Sequence, residues 1–201
     1  MDRRKFLLVL GAGAVSTMSP AYAELQCGPW VHPGVQRCHA GLNSQLAFIS
    51  AKQQRNSQWC WAACIEMVFR YYGYVVPQER IVSETWGSLV NMPGYPGQIL
   101  ANLNRPWQDD FGRRFGVSGD SFTANPITAS QDLAGGRPLI IGSMGHAMVL
   151  TAVTFDRDSH GNGQVVSAIV RDPWEDRGRR ILTAQEWFAT TFLARISVAR
   201  W

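Results

Sequence analysis

The sequence lacks any uninterrupted apolar run of eighteen residues, any internal repeat and any low-complexity tract. The first absence excludes a transmembrane helix, since the hydrocarbon core needs about twenty apolar residues. The other two leave a globular chain with no repeat architecture. Clustered positive charge is missing as well. The arginines are scattered, which argues against nucleic acid as a partner. Cysteine is scarce, with four in 201 residues, and none has the short paired spacing of a structural zinc site. Neither a metal nor a cofactor is expected.

What is present fits one domain. A chain of 201 residues, 46% of them apolar, can bury roughly 70% of its unfolded surface around a single core. The formal charge of +4 overstates the body of the protein, because Asp2, Arg3, Arg4 and Lys5 lie together at the start. Without residues 1–23, 16 basic residues stand against 14 acidic ones, a net +2. Those 23 residues read as an export signal. Arg3-Arg4-Lys5 forms a charged head, residues 6–15 an apolar stretch, and Ala21-Tyr22-Ala23 a small-residue cleavage site. The Arg3-Arg4 pair also resembles a twin-arginine signal, which carries folded cargo. The expectation is a periplasmic or secreted protein, residues 24–201, free of the membrane after signal removal. A monomer is the simplest assembly.

Export permits disulfides. Cys27 and Cys38 bracket a loop with little else to hold it, so a bridge between them is expected. Cys60 and Cys64 stand one helical turn apart with parallel side chains, a poor geometry for pairing. Cys64 reads as a small core residue.

Along the chain, residues 24–53 read as an extended arm, with residues 46–49 a strand or packed segment. A helix runs from near Trp59 toward Gly73. Two shorter ones follow, Gln78–Trp86 and residues 97–104, with Pro77 and Pro96 at their first positions. Residues 106–121 look like a loop whose Asp109, Asp110, Arg113 and Arg114 are solvated charges. Thr128 and Gln131 form a capping box that opens another helix, ended by Gly135-Gly136. The pattern then switches to apolar strands at residues 139–141, 146–155 and 165–170, the last two joined by a turn at residues 158–163. Thr183 and Glu186 make a second capping box opening a helix to about Phe192, and residues 194–200 close the chain as a strand. Helices first and sheet second is an α+β order.

The chemistry concentrates at residues 54–64, Gln-Arg-Asn-Ser-Gln-Trp-Cys-Trp-Ala-Ala-Cys. Cys60 falls in the first turn of its helix, where unpaired N–H groups and the dipole favour a thiolate. The plainer alternative is a buried core cysteine. Trp59, Trp61 and Met144 either line a cleft or pack in the core. A thiol nucleophile needs a base and a group that orients the base. Of four histidines, His32 and His39 lie in the arm and His160 in a turn. His146 opens a strand after Gly142-Ser143-Met144-Gly145. Asp172 ends the next antiparallel strand, at the same end of the hairpin.

A glutamine six residues before a Cys-Trp-Ala resembles the papain-like cysteine proteases. The likeness is nearest to the compact bacterial branch with secreted effector proteases and bacteriocin-leader peptidases. Gly145-His146-Ala147 resembles that family's histidine motif, and Asp172-Pro173-Trp174 its Asn-or-Asp with a tryptophan two residues on. The resemblance spans residues from about 45 to 201. It implies a two-lobe fold, a helical lobe bearing Cys60 and a β-rich lobe. It also implies Cys60 as nucleophile, His146 as base, Asp172 as orienting group, Gln54 as oxyanion donor and Trp174 as a shield. A peptide or protein is the implied substrate. No long propeptide precedes the motif, a departure from many papain relatives. Amidases and transglutaminases share such a triad, and a papain-like scaffold can also serve as a binding module.

Overall fold

The computed structural model describes residues 25–32 and 34–200; the expected signal at residues 1–23 lies outside them. The arm expected at the start is instead a β-hairpin. Strand β1 (Gln26–His32) pairs antiparallel with β2 (Val35–Gly41), with Cys27 opposite Cys38 and their sulfurs bonded at 2.06 Å. Residues 46–49 are helical rather than extended. Helix α1 (Ser44–Ile49) is capped by Asn43, whose side chain accepts from the N–H groups of Gln45 and Leu46.

Helix α2 (Cys60–Tyr71) is the centre of the molecule. Every residue from Trp61 to Phe69 is buried, so the helix is enclosed on all sides. Its one buried charge, Glu66, is held by Arg70 at 2.8 Å and by Gln78 at 3.0 Å. Phe69 meets Trp107 and Phe115 edge to face, with centroids 5.4 and 5.1 Å apart. Burying one such ring is worth roughly 1.5–3 kcal/mol over leaving it in water. Helix α3 (Gln78–Trp86) takes Pro77 as its N-cap rather than inside its first turn, and ends on Gly87 at φ 73°. Helix α4 (Pro96–Asn102) begins with Pro96 at its first position.

The loop expected over residues 106–121 is a second hairpin, β3 (Pro106–Gln108) with β4 (Arg114–Phe122). Phe115 and Val117 alternate inward from β4, a two-residue period hidden among polar neighbours. The charges at its turn are not simply solvated. Asp109 is only 3% exposed and accepts from the backbone of Phe111 and Arg113 and from the Arg113 guanidinium. Asp110 pairs with Arg80 at 2.9 Å.

Helix α5 (Pro126–Ala134) starts before Thr128 because Asn125 caps it and Pro126 enters its first turn. Strands β5 (Leu139–Ser143), β6 (His146–Asp158) and β7 (Gly163–Asp172) follow, then β8 (Gly178–Ile181), which had no sequence signal. Helix α6 (Ala184–Phe188) opens on the Thr183–Glu186 capping box but stops short of Phe192. The chain turns there into β9 (Thr190–Arg200).

The nine strands of the described residues join one sheet, ordered β1-β2-β6-β5-β9-β4-β3, with β7 also paired to β6 and β8 paired to β7. The α+β class holds. Two hydrophobic cores cover the two faces of this sheet. Ile140, Val149 and Ile196 face the core built by α2, α3 and α4. Leu139, Ile141, Leu150 and Leu193 face the core that includes Ala129 and Leu133 of α5 and Trp187 of α6. Buried on both faces, β5 alternates its residues between the two cores, which is why it reads as a continuous apolar run.

Candidate functional site

The start of α2 meets the start of β6. Residues 54–59 lead into α2 and are braced from three sides. The Gln54 N–H donates to Pro173 O at 2.7 Å, the Arg55 N–H to Gln78 Oε1 at 3.1 Å, and the Gln58 N–H to Asn91 Oδ1 at 3.0 Å. The tryptophans flanking Cys60 belong to the core rather than to a cleft. Trp59 and Trp61 are 2% and 0% exposed, and their indole N–H groups donate to Val90 O and Met92 O. They pin the segment after α3 against α2. Gly94 lies so flat on the Trp61 ring that an added Cβ would come within 2.4 Å of it. Cys64 is fully buried and its thiol is pushed well up by burial, then by the charges of Cys60 and Asp172.

His146 is positioned by a two-residue turn. Ser143 faces His146 across the β5–β6 hairpin, and Met144 and Gly145 between them have φ of 51° and 77°. Two positive φ values match the twist of the strands they join. Glycine takes such a conformation freely, and methionine at a cost of roughly 1–2 kcal/mol. Met144 is 62% exposed and lines the cleft above the site.

Asp172 ends β7 beside it. His146 Nε2 donates to Asp172 Oδ1 at 2.7 Å, and the Trp174 N–H donates to the same oxygen at 2.9 Å. Arg180 Nε donates to the other oxygen, Oδ2, at 2.8 Å. With Nε2 committed to Asp172, Nδ1 is the ring nitrogen left for the sulfur of Cys60. The Trp174 ring stands edge-on to the imidazole, centroids 6.0 Å apart, and remains 43% exposed.

These contacts set the charge states. Burial, the largest single influence, pushes the Cys60 thiol up, but the hydrogen bond and charge of His146 together with the N–H groups of Ala147 and Trp61 outweigh it, so its pKa falls below the ordinary 9.0. Burial pulls His146 down, and the Asp172 and Cys60 hydrogen bonds overcome that to bring it to about 9. Asp172 is raised by burial and lowered further by His146, the Trp174 N–H and Arg180, to about 2. At neutral pH Asp172 therefore stands as a carboxylate and His146 as an imidazolium, and the Cys60 thiol beside them is eased toward the thiolate. A nucleophile beside a protonated base can attack a carbonyl and protonate a leaving group.

Gln54, expected as the oxyanion donor, stands with its amide against its own loop. Its amide Nε2 donates to Asn56 O and Ser57 O, both at 3.0 Å, and its Oε1 is buried without a hydrogen-bond partner. As it stands the amide ties down the loop before Cys60. Sequence reasoning also missed Arg180. Its only signal was eight residues of separation from Asp172, short enough for a hairpin neighbour.

The cleft above Cys60 holds about 570 Å³ and is bordered by Ser57, Met144, Trp174, Arg177 and Glu186. Among the described residues no cluster of His, Cys, Asp and Glu is arranged to hold a metal ion.

A family model described as "Peptidase_C39 like family" matches residues 45–197. Among solved structures, the peptidase domain of Streptococcus ComA, a bi-functional ABC transporter involved in a quorum-sensing pathway, shares the fold with a TM-score of 0.50. The identity is 16%, over 75% of this chain and 98% of that domain. UfSP from C. elegans is more distant, with a TM-score of 0.47 and 15% identity over 93% of this chain and 36% of that one. No curated protein matches the sequence.

Proposed function

The chain belongs to the Peptidase_C39-like family of papain-like cysteine peptidases, and on that premise we propose that it cleaves peptide bonds with Cys60, His146 and Asp172. The observation that carries this reading is the bond from His146 Nε2 to Asp172 at 2.7 Å, which leaves Nδ1 for a sulfur already held below its ordinary pKa.

The Cys60 thiolate attacks the carbonyl carbon of a bound peptide, and the electron pair of the C=O bond moves to oxygen. The first N–H groups of α2 have no intrahelical partner and face the developing oxyanion. The Gln54 amide joins them once one of its two carbonyl partners is released. Collapse of the intermediate expels the amine, which takes the Nδ1 proton of His146. Water, deprotonated by the now neutral His146, then splits the thioester and frees the acid. Asp172 holds the imidazole in the tautomer these steps need, and Trp174 limits water's competition for that bond. The substrate is a peptide or protein segment that enters the cleft beside Met144.

Export is part of the proposal. The charged head, apolar stretch and Ala21-Tyr22-Ala23 support it, and so does the Cys27–Cys38 bridge, which suits an oxidising compartment.

Iodoacetamide labelling tests the site. Fast alkylation at Cys60 at pH 7 is expected, at least tenfold slower in His146→Ala. Dye-labelled casein should be cut by the wild type and not by Cys60→Ser. Equal, slow labelling of wild type and His146→Ala would favour a binding module on the same scaffold.

A further inference from the structure

The triad has a continuation on its far side. Beyond Asp172, Arg180 of β8 reaches two carboxylates at once. Its Nε donates to Asp172 Oδ2 at 2.8 Å, while Nη1 and Nη2 donate to Glu186 Oε2 and Oε1 at 3.0 and 2.6 Å. The same Nη2 lies 3.1 Å from the Met148 sulfur. Glu186 is itself fixed, because its Oε2 accepts from the Thr183 N–H while Thr183 Oγ1 accepts from the Glu186 N–H. The Glu186 carbonyl takes the Ser143 hydroxyl at 2.5 Å, on the strand that turns into His146.

We propose that Arg180 and Glu186 are positioning residues for the reaction, a rigid strut from the start of α6 that holds the Asp172 carboxylate square to His146. This rests on the peptidase reading above. Asp172 has one oxygen for His146 and the Trp174 N–H and one for Arg180, so its plane is set from both sides. Without Arg180, the buried carboxylate loses its main cationic partner at Oδ2 and is free to rotate about its Cα–Cβ and Cβ–Cγ bonds. The guanidinium suits this place because its planar fork can donate in two directions, which an ammonium cannot do with fixed geometry.

Two effects of removing Arg180 oppose each other, and their sign decides the case. A carboxylate that kept its place without a neighbouring cation would attract the imidazolium more strongly and raise its pKa. A carboxylate that swung away would lower it. The strut predicts the second. The charged and titratable groups facing Asp172 are His146 from β6, Arg180 from β8, Arg177 at 3.8 Å from the loop before it, and Cys60 and Cys64 from α2. Glu186 of α6 faces it through Arg180.

The test compares wild type, Arg180→Met, Arg180→Lys and Glu186→Gln, each rate being normalised to titrated Cys60. Iodoacetamide alkylation and casein hydrolysis are followed against pH. Arg180→Met is expected to slow both on the order of tenfold to a hundredfold, less than loss of the orienting acid itself. The acid limb of alkylation should move up and the alkaline limb of hydrolysis should move down from about 9. Arg180→Lys should restore part of each. Slower hydrolysis with unmoved limbs and normal alkylation would mean that Arg180 touches substrate instead, and would overturn the proposal. So would a lower Tm with unchanged rates, or an alkaline limb that moves up. If Arg180→Met does not fold, Glu186→Gln decides, since its carbonyl oxygen still accepts from Thr183; a smaller inward shift supports the strut and unmoved limbs refute it. Wild-type protein that alkylates quickly but cuts no casein sinks the peptidase reading alone, and the alkylation limb then judges the strut.

Discussion

At the scale of single residues, the site is governed by which charges are kept from water. Asp172 has a fully buried side chain, yet it stays ionised because each of its oxygens has at least one donor. Its negative charge raises His146, and the imidazolium lowers Cys60 in turn. The pH window follows from those signs. The ion pair is complete above the lowered thiol pKa and below about 9, where His146 gives up its proton. Hydrolysis of casein should therefore trace a bell, with its acid limb below 9.0 and its alkaline limb near 9. The same pairing contributes to stability with the same signs. His146 contributes fully below its unfolded pKa of 6.5, and the contribution is lost as pH rises through about 9. Asp172 contributes above 3.8, lost as pH falls toward about 2. A profile rising steadily past pH 10 would show that the proton on His146 is not used.

At the scale of elements, the loop before α2 matters as much as the helix. A helix N-terminus supplies N–H groups and a favourable dipole, but the loop decides where the sulfur stands. Gln54 contributes through its backbone bond to Pro173 and its amide bonds to Asn56 and Ser57. Bracing and oxyanion donation make different demands on one side chain. Gln54→Ala should lower hydrolysis by about a hundredfold if the amide binds the oxyanion, since one such donor is worth roughly 3 kcal/mol. Iodoacetamide alkylation has no oxyanion, so it should stay within about threefold of wild type. Equal losses in both assays would show a brace and nothing more. The elements that sequence reading placed well have local signals, such as the Thr183–Glu186 box or the apolar runs of β5 to β7. Those it missed have weaker ones. Residues 46–49 are apolar at every position, so the helix there is set by the Asn43 cap. Strand β4 is polar where it is exposed, and it exists because β9 lies beside it.

At the scale of the whole molecule, the disulfide and the site are separate. Cys27–Cys38 lies on the outermost hairpin of the sheet, whose inner strand β2 pairs with the distal part of β6, from Ala152 to Asp158. His146 is at the other end of that strand. Opening a bridge that spans 11 positions should cost about 3 kcal/mol on the loop-entropy account. Mild reduction should thus lower Tm by several degrees and leave the alkylation rate of Cys60 unchanged. Loss of labelling on reduction, in folded protein, would tie the hairpin to the site.

The sequence by itself determined the chemical alphabet of the site. Cys60 at a helix start, His146 after a glycine-bearing turn and Asp172 two residues before Trp174 could all be read from local patterns, because helix starts, tight turns and strand ends are written in neighbouring residues. Only the tertiary structure decided the rest. It sent Trp59 and Trp61 into the core, turned the Gln54 amide toward its own loop and brought Arg180 to the second oxygen of Asp172. Those outcomes depend on which surfaces meet when the sheet closes over α2. Burial and long-range pairing are properties of that meeting, and no short stretch of chain carries them alone.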